Sequence, residues 1–391
     1  MFPLWPSRFF PSKRRAARSP GRAASLAVEV LEDRTLLTTA PVLPGTLFAA
    51  QSYDSNRAVT GSPSIPPDPS GAAGPSFLVS VVNSSLQVRA KATGALRRNV
   101  SLNNFFHANA PDGLFDPKVV YDPYASRFVV VALERAGAQD PDSGSTTTGP
   151  HISEIHLAVS DTDDPTGTWH VLTINSALNV GGEQGWADYP GLGIGPDAIY
   201  VTANMYSFAS SAFLDSRLWI VNKADLSAGK AGPFTVQDPT PGASVFTVQP
   251  AKVFGTLPPG VGEYLVASGL ADASGNDFVR VIAVGNPLGT PTFTATAVPL
   301  GGNLFVPGAM PGAPQRGSTA LIDAGDTRMY DAVWRNGSLW AVNTIDPLAG
   351  PDAGRAVVHF YEIDTTPTPT LVQQGNVDGS DIDPGAFTYF P

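Results

Sequence analysis

The chain reads as all-β, built of small antiparallel sheets that repeat along its length, and three observations carry that reading. First, 39 Gly and 37 Pro among 391 residues interrupt nearly every window long enough for a stable helix. Second, short runs rich in Val, Ile, Tyr and Phe alternate with turns of Asp, Pro, Ser and Gly, which is the pattern of strands. Third, the runs group in threes and fours and return every roughly 50 to 75 residues, which suits the blades of a β-propeller. The predicted fold is a β-propeller of five to six blades, incomplete at its C-terminal end. A β-sandwich or two all-β domains is the alternative.

Three regions follow from composition. Residues 1–40 form a basic leader, broken by proline, in which no apolar run of secretory length follows the arginines. Residues 41–65 read as a Pro-, Ser- and Gly-rich linker, with Leu47–Ala50 as an edge strand. Residues 66–391 hold the repeating sheets. The clearest unit runs from Asp116 to Ile174, with strands predicted at Val119–Tyr121, Phe128–Leu133, Ile155–Val159 and Trp169–Ile174. Before it, strands are predicted at Phe77–Val82, Leu86–Ala90 and Leu96–Leu102; after it, at Gly191–Ile194, Ala198–Met205 and Leu218–Asn222. Gly137–Pro150 is nearly devoid of apolar residues and reads as an exposed loop. The end of the chain, "DIDPGAFTYFP", reads as the opening strand of another unit, and Leu47–Ala58 as an outer strand that would close the last blade.

Charge excludes some functions. The formal net charge is −10, yet residues 1–37 carry seven basic and three acidic groups, so the remainder stands at −14. A body this acidic repels phosphate backbones, and nucleic acid is not an expected partner. Zero cysteine removes disulfides, thiolate metal sites and thiol nucleophiles. No window of 18 apolar residues occurs, so no helical membrane span is expected.

Two motifs carry resemblances. Ser160–Trp169, "SDTDDPTGTW", resembles an expanded Asp-box, the hairpin between outer strands of many propeller blades. "LEDRTLLT" at Leu31–Thr38 resembles the Leu-Glu-x-Arg-x-Leu-Leu leader of many planctomycete proteins, with Asp33 where that motif usually has Pro. "PPDPSGAAGP", "DPKVVYDPYASRF", "HLAVSDTDDPTGTW", "DYPGLGIGPDAIYVTAN" and "DTRMYDAVWRNGSLWAVNT" together resemble a family of bacterial secreted β-propeller proteins. The resemblance implies a secreted or envelope-associated, monomeric propeller.

Chemistry is less legible than architecture. Asp68, Asp116 and Asp188 stand at or beside a proline just before the first strand of a unit, and Asp326 holds a similar place. On a propeller these residues ring one mouth of the central channel, where their carboxylates could hold a calcium ion or sugar hydroxyls. Trp186, Tyr189 and Tyr206 are the candidate exposed aromatics for a ligand. In the Asp-box turn, Asp161, Asp163 and Asp164 fit a structural role better than a calcium site, and so does the acidic stretch Asn376–Asp383. His156 and His170 fall on the two strands of one hairpin and are expected to pair across it. Neither a nucleophile elbow nor a phosphate loop nor an HExxH spacing occurs. The expected function is a non-catalytic binding or scaffold module for a carbohydrate or protein partner. The alternative is a polysaccharide-active hydrolase or lyase. It requires two carboxyl groups facing one another, one with a raised pKa.

Overall fold

The computed structural model describes residues 48–391 apart from 63, 109, 111–112, 138–149, 231–233 and 270–274. The leader at 1–40 and nearly all of the loop at Gly137–Pro150 lie outside the described residues. What is described is all-β: five antiparallel meanders follow one another along the chain. Meander I comprises Ser70–Ala73, Phe77–Val82, Ser85–Ala90 and Leu96–Ser101. Meander II comprises Phe115–Asp122, Arg127–Ala136, Ile152–Ser160 and Trp169–Asn175. Meander III comprises Glu183–Ile194, Ala198–Ser207, Phe213–Asn222 and Phe234–Gln237. Meander IV comprises Gln249–Pro250, Glu263–Gly269, Phe278–Gly285 and Thr292–Pro299. Meander V comprises Met329–Arg335, Ser338–Ile345, Val357–Asp364 and Thr370–Val377.

Meanders II, III and IV bury both faces, and alternation along their strands decides what each face meets. On Arg127–Ala136, Phe128, Val130 and Ala132 pack with meander I, while Val129, Val131 and Leu133 pack with meander III. Comparable clusters join III to IV and IV to V. A fully buried Val or Leu side chain contributes about 1.5–3 kcal/mol, so these four seams hold the described body together. The first strands also approach one another: Lys252–Phe254, which continues the first strand of meander IV, pairs in parallel with Ile194 on one side and with Val333–Arg335 on the other.

The linker expectation at 41–65 is corrected in one part. Residues 48–50 have no regular structure, and Tyr53–Thr60 is an α-helix. Ser52 and Ser55 cap it reciprocally, each side chain accepting the other's backbone N–H at 3.2 and 2.8 Å. Its buried Asn56 donates to the Asn83 carbonyl at 3.1 Å and to Ser85 Oγ at 2.6 Å, docking the helix on meander I. Leu47–Ala58 therefore adds no outer strand to the last meander. The terminal "FTYFP" forms no strand either; Thr388 and Phe390 instead bond to meander V, through Val358 N–H at 2.9 Å and Thr344 Oγ at 3.2 Å.

Candidate functional site

The starts of the first strands share a local distortion. Pro117 and Pro190 carry no N–H for the ladder, and pairing shifts register between Phe115 and Lys118 and between Asp188 and Gly191. The residue before the proline takes a left-handed conformation: φ is 41° at Asp68, 49° at Asp116 and 52° at Tyr189. Thr247, just before meander IV, is left-handed at 55° with no proline after it, and Phe390, before Pro391, at 53°. For non-glycine residues, tyrosine and phenylalanine above all, this region is strained by on the order of 1–3 kcal/mol.

A hydrogen-bonded path links these positions. Asn83, in the turn after the second strand of meander I, donates to Asp68 Oδ2 and, at 3.0 Å, to the Pro66 carbonyl. Its Oδ1 accepts the Asp116 N–H at 2.7 Å. Asp116 Oδ2 in turn accepts the Tyr189 N–H at 3.2 Å. The Tyr189 ring lies under the Arg328 guanidinium at 4.4 Å and near Lys118 Nζ at 5.6 Å. Arg328 also covers Phe246, at 4.9 Å, and Tyr189 meets Tyr330 edge-on at 6.4 Å. One patch thus gathers residues from the beginnings of all five meanders.

The carboxyl groups in this patch differ. Asp326 binds Arg328 in a fork, with Nε and Nη2 at 2.8 and 2.7 Å from its two oxygens. Burial alone would lower the Arg328 pKa, but the hydrogen bond and charge of Asp326 outweigh it and raise it. Asp116 has no such cation. Burial pushes its pKa up to about 8, reinforced by the charges of Asp188 and Asp68; Lys118 and the Tyr189 N–H pull the other way. Asp116 therefore carries a proton near neutral pH beside two further carboxyl groups. The four carboxylates are not all free to ligate one calcium ion, because Asp326 is taken by Arg328.

The aromatic candidates also separate. Trp186 is wholly buried, under the Arg135 guanidinium at 4.4 Å, and so is no exposed ligand platform. Tyr189 and Tyr206 are half-buried, and burial raises the pKa of both phenols. Arg328, Asn83 and Tyr330 were missed by sequence reasoning. The Asp-x-Arg spacing at 326–328 was the available signal for Arg328, and Asn83 reads only as a turn residue.

The turn at 160–169 is held by its own side chains. Asp164 accepts the Thr166 N–H and hydroxyl at 2.9 and 2.7 Å, and Trp169 packs edge-on against Phe105 at 5.0 Å. His156 and His170 do not pair across the hairpin, since His156 stands opposite Thr173 and His170 opposite Val159. His170 lies three positions from Thr173, an odd offset, which places the two imidazoles on opposite faces.

No protein-family model and no curated protein matches the chain. Among solved structures, a xylan beta-1,4-xylosidase from Bacillus halodurans C-125 is similar at 12% identity and a TM-score of 0.38, over 78% of this chain and 54% of that one. The chain thus spans about half the xylosidase's length. A GH43 endo-arabinanase from Bacillus licheniformis is similar at 15% identity and a TM-score of 0.36, over 78% of this chain and 96% of that one. An alpha-L-arabinanase from Cellvibrio cellulosa complexed with arabinohexaose is similar at 13% and 0.36, over 82% and 98%. The expected non-catalytic scaffold has no counterpart among these three, which are named as a xylosidase and arabinanases.

Proposed function

We propose that the chain is a five-bladed β-propeller that hydrolyses glycosidic bonds in a polysaccharide at the mouth of its central channel. The propeller reading is supported by five meanders packed in chain order and by the gathering of their first-strand starts in one patch. The catalytic reading rests on one observation: Asp116, its pKa pushed up to about 8, beside Asp188 and Asp68. Glycoside hydrolysis needs a carboxylic acid to protonate the leaving oxygen and a second carboxylate to serve as base or nucleophile. Asp116 is the acid in this reading, with the second group drawn from Asp188 and Asp68. The Tyr189 and Tyr206 rings offer apolar faces for a sugar, and Arg328 fixes Tyr189. A polymeric substrate of this kind lies outside the cell, which accords with export through the leader at 1–40.

The test is release of reducing ends from a panel that includes arabinan and xylan, by the full chain and by Asp116→Asn. Activity is expected in the parent protein and a fall of about 10²–10⁴-fold in the variant. Equal activity in the two would remove Asp116 from the mechanism, and products with a new ultraviolet-absorbing double bond would make the chain a lyase.

A further inference from the structure

A second group of ionisable side chains lies away from the channel mouth, on meander II. Antiparallel pairing sets Glu134 directly opposite Glu154 and Ala132 opposite His156. Like charges directly opposed on neighbouring strands are destabilising, yet here both carboxylates reach toward one imidazole. His156 Nε2 is 2.9 Å from Glu134 Oε2 and 3.6 Å from Glu154 Oε2, and the three donor atoms lie within 4.8 Å of one another. Glu134 and His156 are buried, and Glu154 is half-buried. All three line a cavity of about 350 Å³ that also exposes Thr173 and His107.

We propose that Glu134, Glu154 and His156 form a binding site for a divalent transition metal of the zinc class. Two ligand atoms each about 2.0–2.1 Å from a tetrahedral zinc stand roughly 3.4 Å apart, and the two His156 contacts bracket that separation. One imidazole with two carboxylates suits zinc better than calcium or magnesium, which take oxygen donors. His156 is also oriented for the task. Thr173 Oγ1 lies 3.2 Å from its Nδ1, so with Nε2 on the metal the Nδ1–H donates to that hydroxyl. The metal would neutralise the opposed carboxylates, and the cavity leaves its fourth position to water or an entering ligand.

The experiment is zinc titration of the tag-free full chain, first stripped with a chelator, read by calorimetry and by competition with a chromophoric chelator. One zinc per chain is expected. Binding should weaken at least 10-fold in Glu154→Gln and in Glu134→Gln, and vanish in His156→Gln. Thr173→Val should weaken it about 10-fold. Cobalt(II) in place of zinc should give visible absorption that His156→Gln removes. Asp116→Asn should bind zinc like the parent, so this proposal and the channel-mouth reading fail separately. Glu154 is partly exposed and its amide variant keeps the side chain's shape, so circular dichroism is expected to show an intact fold. Equal zinc affinity in the parent, Glu154→Gln and His156→Gln would overturn the proposal, as would no binding in the parent.

Discussion

The two stretches of the first strands make different surfaces from the same elements. At their starts the backbone is left-handed, and Asp68, Asp116, Asp188, Asp326 and Arg328 share a half-buried patch. Further along, the strands line a cavity of about 200 Å³ with Gly71–Ala73, Val119–Tyr121, Ile194, Lys252 and Val253, and Lys252 also pairs with Asp331. The second stretch obeys the ordinary rules of apolar packing and regular pairing. The first breaks them with bulges, strain and a carboxyl group that holds its proton. Natural chains tolerate such violations where a site needs them, and this contrast is what the proposed site rests on.

The largest expected effect separates the two stretches by activity. Asp116→Asn should abolish most turnover, and the parent's rate should fall as pH rises through about 8, where the acid loses its proton. Stability carries the same sign. The folded chain holds the Asp116 proton more tightly than the unfolded one, whose carboxyl titrates at about 3.9. That contribution is whole below about pH 4 and is lost as pH rises through about 8. Urea unfolding between pH 4 and 9 should show this decline in the parent and a flatter profile in Asp116→Asn. Matching profiles would mean that Asp116 is not desolvated as described.

Arg328→Ala comes next. It leaves Asp326 without its fork and uncovers Tyr189 and Phe246, and should cost on the order of 2 kcal/mol in urea unfolding. It should also lower activity by loosening Tyr189, whose N–H touches Asp116. Arg328→Lys keeps the charge but not the planar fork, so it should recover only part of either loss.

How much of this was legible in sequence depends on what forms each element. The strand Phe77–Val82 reads directly, because its own side chains favour a strand and alternate in burial. The first strand, Ser70–Ala73, does not read at all: Ser-Gly-Ala-Ala has no β-branched or aromatic residue, and pairing with Phe77–Val82 forms it. The helix at 53–60 is equally silent, being held by a reciprocal serine cap and one buried asparagine rather than by an apolar stripe. Asp68 and Asp116 were legible through the prolines that follow them, and Pro117 sits in a bulge. That Asp116 keeps its proton while Asp326 meets an arginine depends on what the fold brings near each, and no local pattern encodes it. The opposition of Glu134 to Glu154 spans 20 positions and a loop, beyond any motif window.

Val253→Ala probes the apolar stretch. Val253 is buried between meanders IV and V, and losing two methyl groups should cost about 1–2 kcal/mol. Turnover per folded molecule should stay unchanged. A large loss of turnover in a folded Val253→Ala protein would show that the two stretches are coupled and that the contrast drawn between them is false.

The smallest expected effect sharpens the comparison most, because it sets one ion pair against another. Lys252 Nζ lies 2.6 Å from Asp331 Oδ2, a contact as short as those between Arg328 and Asp326. The side chains of Lys252 and Asp331 are 36% and 41% exposed, against 21% and 29% for Arg328 and Asp326. Water and salt screen the first pair, and a lysine point charge replaces the planar fork, so Lys252→Ala should cost about 0.5 kcal/mol or less. Raising the salt should shrink even that difference, while the cost of Arg328→Ala should hardly change. If the two variants lose equal stability, contact distance rather than burial and fork geometry governs these pairs, and Arg328 loses its special standing in the patch.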